Sequence, residues 1–224
     1  MTIKSVLFDF DGTLADTLPL SFMAFRSVFL TYENKLMSNE DIVNTFGPTE
    51  EEIISIHLSN KDLVNEAIEH YYAFFEQQFH DCVVMPIDII ELLNDLSQQQ
   101  IKMIIITGKS RRCLDICLKN LGIDHYFLSS IAGDEVNKSK PDPEGIFKAM
   151  ELFQLKPEEV IFVGDSNADI VAGKSANLLT IGAHWFETVQ NRTFSIEPDF
   201  IYKHTTDLKL LINNSRTKEL LQEK

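Results

Sequence analysis

The segment Val6-Leu7-Phe8-Asp9-Phe10-Asp11-Gly12-Thr13-Leu14 decides the fold, because it joins an apolar strand to a charged turn. Three apolar residues run directly into two carboxylates, a glycine and a hydroxyl, a pattern typical of a buried strand that ends at a site. Burying one carboxylate is costly, and burying two close together costs more. We therefore expect a divalent cation, a cationic side chain or a shared proton beside Asp9 and Asp11. One acid would serve as nucleophile or ligand, and the other as acid or base.

Three later segments carry polar groups that such a site needs. One apolar run ends at Thr107-Gly108-Lys109, and another ends at the acidic segment Gly164–Asp169, which contains Asp165. Between them, Lys140 stands in a Lys-Pro-Asp-Pro segment whose two prolines oppose both helix and strand. In a parallel α/β sheet the carboxyl ends of the strands form one edge, where ligands bind. We expect two acid clusters, a hydroxyl and a lysine to meet at this edge.

The order and spacing of these four motifs resemble the haloacid dehalogenase superfamily, specifically its phosphatases. The first motif corresponds to Asp9–Thr13, the second to Thr107, the third to Lys140, and the fourth to Asp165 with Asp169. The resemblance covers nearly the whole chain. It implies an α/β fold, with a Rossmann-like core built on a doubly wound parallel sheet and an inserted all-helical cap domain.

The resemblance also implies the catalytic roles of these residues. Asp9 would be the nucleophile, giving an aspartyl-phosphate intermediate. Asp11 would protonate the leaving group and then take a proton from the attacking water. Thr107 would donate a hydrogen bond to the phosphoryl group, and Lys140 would offset its charge. The phosphate-binding positions implied in this way are Gly12, Thr107, Gly108 and Lys140.

The cofactor implied by the resemblance is Mg²⁺, which prefers oxygen ligands. The carboxylates of Asp9 and Asp165 and the backbone carbonyl of Asp11 would bind it. Asp169 would bind it through water or orient the other ligands. The ion would allow an anionic nucleophile to approach an anionic phosphate.

A block of helical sequence separates the first strand from the later ones. Over residues 16–83 apolar residues recur at helical spacing, and helix-capping patterns begin at Ser38 and Thr49. Residues 1–15 and 84–224 are predicted to form the catalytic core, in which helices alternate with strands. The core is expected to end in a helix over 205–212 and a fraying polar tail over 213–224. In the resembled family the inserted block is a cap that controls the access of water.

Two groups of charged residues near the motifs need an interpretation. Lys109, Arg111 and Arg112 follow the second motif, and we expect them to be exposed cations on a helix; contact with an anionic part of the substrate is the alternative. Hexose-phosphate mutases of the superfamily carry a cation in the cap at the place where this chain has Glu50.

Composition limits the partners. With 20 Lys and Arg against 34 Asp and Glu, the formal net charge is −14, which argues against binding to nucleic acid or to an anionic membrane surface. No apolar run approaches the roughly 20 residues of a membrane span. The sequence before the first strand leaves no room for a signal peptide. The three cysteines lack a pairing or zinc motif and predict reduced thiols. We expect a cytoplasmic protein, a monomer or weak homodimer, that acts on a small phosphorylated substrate.

Several activities remain open at this point. Phosphoglycolate-phosphatase-like and pyrophosphatase-like enzymes are the subfamilies that the chain resembles, with a phosphatase for a small metabolite such as phosphoglycolate as the leading expectation. Inorganic pyrophosphatase and hexose-phosphate mutase are the alternatives within the superfamily. Dehalogenases lack an acid corresponding to Asp11. A phosphoryl-receiver protein is the alternative from another class, but such domains are shorter and have no helical insertion.

Overall fold

Six parallel strands form the sheet of the computed structural model, which describes the backbone of residues 2–222 and the side chains of residues 2–215. The strands are β1 (Ser5–Phe8), β2 (Lys102–Ile106), β3 (Ser129–Ile131), β4 (Val160–Gly164), β5 (Leu179–Ala183) and β6 (Phe200–Tyr202). Their order in the sheet is β3-β2-β1-β4-β5-β6. The winding direction reverses between β1 and β4, the place where open α/β sheets bind ligands. The predicted doubly wound parallel sheet is confirmed.

The register of the three central strands aligns their carboxyl ends. Phe8 lies opposite Ile105 of β2 and Val163 of β4. The residues that follow these strands are Asp9, Thr107 and Asp165, and they therefore reach the same edge of the sheet.

Four helices follow β1 with no strand between them: α1 (Leu18–Glu33), α2 (Asn39–Val43), α3 (Glu50–His57) and α4 (Val64–Cys82). We call them the helical block. Capping boxes begin α2 at Ser38 and α3 at Thr49, as the sequence predicts. The next helix, α5 (Ile87–Gln98), precedes β2, and the other helices of the described chain lie between or after the later strands: α6 (Arg111–Leu121), α7 (Glu144–Phe153), α8 (Asn167–Ser175) and α9 (Thr205–Gln222).

Side chains of β1 divide between the two faces of the sheet, because successive residues of a strand point in opposite directions. Phe8 belongs to the same cluster of buried apolar residues as Phe25 of α1 and Tyr71 of α4. Leu7 belongs to a second cluster with Phe162 and with residues of α7 and α8. The helical block therefore shares an apolar core with one face of the sheet.

The end of the chain differs from the prediction. α9 begins at Thr205 but continues to Gln222, whereas the sequence predicted a helix over 205–212 and a fraying tail over 213–224. No glycine or proline stands between positions 213 and 222 to end the helix. Leu208 and Ile212 of this helix are buried and anchor it. Residues 223 and 224 lie outside the described part of the chain.

Two expectations concern the environment of the protein. Within the part of the chain that the structure describes, no helix is both long and apolar enough to cross a membrane. Cys82, Cys113 and Cys117 are free thiols, as predicted.

Candidate active site

Asp9, the predicted nucleophile, is held at the end of β1 by the neighbouring strand. Its amide donates a hydrogen bond to the carbonyl oxygen of Val163 at 2.8 Å, which continues the β1–β4 ladder one residue past β1. The residue is buried, with 6% of its surface exposed. The following loop folds back on Phe10, whose carbonyl oxygen accepts a hydrogen bond from the amide of Leu14 at 2.8 Å.

A cluster of acids surrounds Asp9. Carboxylate oxygens of Asp9, Asp165 and Asp169 all lie within 4.8 Å of one another, and all three residues are buried. Lys140 reaches this cluster from the proline-rich segment before α7. Its Nζ donates hydrogen bonds to Asp9 Oδ1 and Asp169 Oδ1, each at 2.6 Å, and to the carbonyl oxygen of Ile106 at 3.0 Å. The structure thus joins the first, third and fourth motifs.

One lysine does not balance three buried carboxylates. Burial and the charge of Asp169 raise the pKa of Asp9 from 3.8 to about 7, although Lys140 pulls it down. Burial, followed by Asp9 and Asp169, holds the pKa of Asp165 well above its usual range. Burial opposes the charge of Lys140, but Asp169 and Asp9 outweigh it and raise the pKa of the lysine. The cluster therefore needs a further positive charge to keep all three acids ionised.

The donor set fits a divalent cation such as Mg²⁺. Oδ1 of Asp165 is buried and has no hydrogen-bond partner among the described residues, while Oδ2 accepts a hydrogen bond from the amide of Gln190 at 2.6 Å. Oδ2 of Asp169 accepts hydrogen bonds from the amide and hydroxyl of Ser166 at 3.0 and 2.6 Å. Asp9 and Asp165 are the candidate direct ligands, since both oxygens of Asp169 already have partners. Oxygen donors of this kind suit a hard cation.

Gly12 makes room for this acid cluster. It has a positive φ of 73°, and a side chain there would overlap the carboxylate of Asp165. Its own amide donates to the carbonyl oxygen of Ala15 at 2.9 Å. The predicted phosphate contact of Gly12 stays a prediction, and it requires that bond to be shared or exchanged.

A cavity opens between the sheet edge and the helical block. Its lining includes the predicted site residues Asp9, Asp11, Thr107, Gly108 and Lys140. Its lining from the helical block and the loop before α3 comprises Leu18, Ser21, Phe25, Phe46, Gly47, Pro48, Glu50, Ile53 and Tyr71. Gly12, Asp165 and Asp169 do not line the cavity. The cavity therefore brings the predicted nucleophile Asp9, the predicted acid Asp11, the hydroxyl of Thr107 and Lys140 to one space.

The expectation that Lys109 is an exposed cation is wrong. Its Nζ lies 3.1 Å from both carboxylate oxygens of Asp11 and 3.4 Å from Oε1 of Glu50. Lys109 lies in the turn between β2 and α6, which begins only at Arg111. Its burial depends on Glu50 at the start of α3, a contact that the residues around Lys109 do not indicate.

The other two cations of that group lie away from the cavity lining. Arg111 is paired with Glu135 at 2.7 Å and with Asp115 at 3.3 Å. Arg112 is 45% exposed at its side chain, and it is paired with Glu69 of α4 at 2.5 Å. Arg112 thus links α6 to the helical block at the surface.

A family model described as haloacid dehalogenase-like hydrolase matches residues 6–183. The chain belongs to this family. The pyrophosphatase PpaX of Anoxybacillus flavithermus (strain DSM 21510 / WK1) is 34% identical to it over 209 residues, which are 93% of this chain and 96% of that protein. The family resemblance expected from the four motifs is confirmed.

Solved structures of other proteins share the fold. A predicted phosphoglycolate phosphatase from Haemophilus somnus 129PT has a TM-score of 0.81 at 21% identity, covering 94% of this chain and 98% of that one. CbbY from Rhodobacter sphaeroides, in complex with phosphate, has a TM-score of 0.79 at 21% identity, covering 92% and 96%. The family and the curated relative identify this haloacid dehalogenase-like hydrolase as an enzyme of the phosphatase type.

Proposed function

We propose that this hydrolase is a Mg²⁺-dependent phosphatase, which cleaves a small phosphorylated substrate through an aspartyl phosphate on Asp9. The observation that carries the proposal is the position of the Asp9 carboxylate. It contacts the ammonium group of Lys140, it lies within 4.8 Å of the buried carboxylates of Asp165 and Asp169, and it lines a cavity that Asp11 also lines.

In the first step a carboxylate oxygen of Asp9 would attack phosphorus while the bond from phosphorus to the leaving oxygen breaks. Asp11 would give its proton to that oxygen. Thr107, at the end of β2, would donate its hydroxyl hydrogen to a phosphoryl oxygen, and Lys140 would offset charge on Asp9 and the phosphoryl group. A bound Mg²⁺ held by Asp9 and Asp165 would neutralise the developing charge.

In the second step water would attack the phosphorus of the aspartyl phosphate. Asp11, now a carboxylate, would take a proton from that water as the bond between phosphorus and the Asp9 oxygen breaks. The products are inorganic phosphate and the original carboxylate of Asp9. The same acid therefore serves both steps, which requires that it keep one position beside the bridging oxygen.

We assign residues 16–83 to a cap domain and residues 1–15 and 84–224 to the catalytic core. Support comes from the cavity, which the helical block lines on one side and the sheet edge on the other. A cap seated in this way would keep bulk water from the aspartyl phosphate. A cytoplasmic location, a monomer or weak homodimer, and the absence of nucleic-acid and membrane partners stay predictions from the sequence.

Inorganic pyrophosphate is the first substrate to test, because the curated relative is a pyrophosphatase that matches almost the whole chain. Phosphoglycolate is the second. A mutase acting on hexose phosphates is less well supported. Among the described residues that line the cavity the cations are Lys109 and Lys140, and both are already paired with carboxylates. Neither is free to hold a remote second phosphate.

The test is a substrate panel with Mg²⁺ or with excess chelator. Pyrophosphate, phosphoglycolate, a hexose phosphate and 4-nitrophenyl phosphate would be compared by phosphate release for the parent, Asp9→Asn and Asp115→Asn, an exposed control. We expect Mg²⁺-dependent release by the parent and the control, and no turnover or trapped phosphoryl-enzyme with Asp9→Asn. Release that continues undiminished in chelator, or near-normal turnover by Asp9→Asn, would overturn the proposal.

A further inference from the structure

Lys109 is a buried cation of the cavity that has no part in the reaction described above. We propose that Lys109 is a positioning residue, which fixes the carboxylate of Asp11 and ties its position to Glu50 of the helical block. This inference rests on the proposed function, since it takes Asp11 as the acid and base of the reaction.

The ammonium group of Lys109 contacts carboxylate oxygens on two sides. Its Nζ lies 3.1 Å from both Oδ1 and Oδ2 of Asp11, and 3.4 Å from Oε1 of Glu50. The ring of Phe75 lies beneath it, with the centroid 5.1 Å from Nζ. The two equal contacts to Asp11 hold both of its carboxylate oxygens at the same distance from one buried charge, which limits how far the carboxylate can move.

Burial leaves Lys109 little freedom to make other contacts. Only 2% of its side chain is exposed, and a buried ammonium group needs anionic partners. In the described part of the chain these partners are Asp11 and Glu50. The side chain of Asp11 is 21% exposed, and it faces the cavity where a leaving group would lie. Lys109 therefore contacts the same carboxylate that is partly open to the cavity.

A second restraint on Asp11 comes from the start of the helical block. The hydroxyl of Thr17, the residue before α1, donates a hydrogen bond to Oδ1 of Asp11. The turn after β2 and the start of α1 thus hold the same carboxylate. Its orientation depends on how these two parts of the chain are placed.

Glu50 connects the lysine to the rest of the helical block. It is the first residue of α3, and its Oε2 accepts a hydrogen bond from the amide of Ser110 at 2.8 Å while Oε1 faces Lys109. One buried carboxylate therefore contacts both the side chain of Lys109 and the backbone of the next residue. If the helical block moved away from α6, Glu50 would leave with it and Lys109 could shift. The position of the Asp11 carboxylate therefore depends on the contact between the helical block and the residues before α6.

The test uses the full-length enzyme with Mg²⁺ and two substrates that differ in their leaving group, 4-nitrophenyl phosphate and phenyl phosphate. Phenolate is the poorer leaving group and needs the proton of Asp11 more. For Lys109→Met we expect kcat on phenyl phosphate to fall by about 10²-fold, the contribution of a well-placed acid. The loss on 4-nitrophenyl phosphate should be several-fold smaller, and KM should change little. Lys138→Met, at a lysine with a 73% exposed side chain, should match the parent.

Equal losses on the two substrates, unchanged kcat, or a change confined to KM would each overturn the inference. If Lys109→Met does not fold, as judged by urea unfolding, Thr17→Val and Glu50→Gln replace it. In both variants kcat should fall more on phenyl phosphate than on 4-nitrophenyl phosphate, and both losses should be smaller than those expected for Lys109→Met. Equal losses of kcat on the two substrates would overturn the inference. A parent enzyme with no Mg²⁺-dependent turnover of either phosphate would instead refute the proposed function on which the inference rests.

Discussion

Replacing Lys140 by methionine tests whether the acid cluster is built around a metal. The substitution keeps an unbranched side chain of similar length and removes the charge. Lys140 Nζ lies 2.6 Å from an oxygen of Asp9 and 2.6 Å from an oxygen of Asp169, and Asp165 is the third acid of the cluster. Without the lysine, three buried carboxylates would face one another with no cation in the metal-free protein.

The expected magnitude follows from this geometry. Removing one partner of a buried ion pair costs about 3–5 kcal/mol, because the remaining charge stays buried without compensation. Mg²⁺ at 100 times its Kd stabilises a folded protein by about 2.7 kcal/mol. The ion should bind the Lys140→Met cluster more tightly than the parent cluster, since it meets more uncompensated negative charge, and it should therefore stabilise the variant more than the parent. The free energy of unfolding should therefore fall by several kcal/mol in chelator and by less in saturating Mg²⁺.

Urea unfolding, followed by the fluorescence of Trp185, would measure these differences. The chain has one tryptophan, and its indole N–H donates to the carbonyl oxygen of Thr13 in the loop after Asp9 at 2.8 Å. Lys174→Met is the matched control. Lys174 pairs with Asp199 at 2.6 Å with both side chains about one-third exposed, so its loss should cost about 0–1 kcal/mol with or without Mg²⁺. A loss for Lys140→Met that is below about 1 kcal/mol in chelator, or identical in the two conditions, would contradict the reasoning.

Three further outcomes are expected. Gly12→Ala should lose about 1–2 kcal/mol of stability through its positive φ, and it should also weaken Mg²⁺ binding by displacing Asp165. The control is Gly122→Ala, where φ is 66° and no atom lies near the added carbon, so that only stability should fall. Equal Mg²⁺ titrations of the two variants would argue against the metal site. Ca²⁺ in place of Mg²⁺ should inhibit phosphate release, because its looser coordination would hold the proposed nucleophile Asp9 less well in line. Equal rates with the two ions would contradict the proposal that the metal positions Asp9. Arg112→Met should cost about 0–1 kcal/mol through its exposed pair with Glu69 and a further ~0.5–1 kcal/mol through the stacking of its guanidinium on Tyr72. Only the first part should decrease at high salt, and a loss in urea unfolding that does not change with salt would contradict the exposed ion pair.

Much of the sheet and of the acid cluster could be predicted because the signals are local. Asp9, Thr107 and Asp165 each follow an apolar run directly, and the carboxyl ends of parallel strands share an edge, so their meeting follows from the order of elements. Lys140 follows no strand, so no rule about strand ends places it; its expected position rested on its proline-rich segment and on the family resemblance.

Features that depend on how distant parts of the chain pack could not be predicted. The burial of Lys109 requires Glu50, whose bond to Ser110 spans 60 residues and exists because α3 lies against the start of α6. The constraint on Gly12 likewise comes from Asp165, which follows another strand. Neither contact leaves a pattern in the neighbouring residues.

The position of β1 in the middle of the sheet determines how long the backbone at Asp9 stays in place. β1 pairs with β2 on one side and β4 on the other, and the amide of Asp9 itself is bonded to Val163. Backbone amides in such a strand exchange with solvent only when the whole domain opens, whereas edge strands and loops open locally at much lower free energy. We therefore expect Asp9, the proposed nucleophile, to follow a strand that opens only with the whole domain. We expect a substitution far from β1 to change how long the protein stays folded more than it changes the backbone position of Asp9.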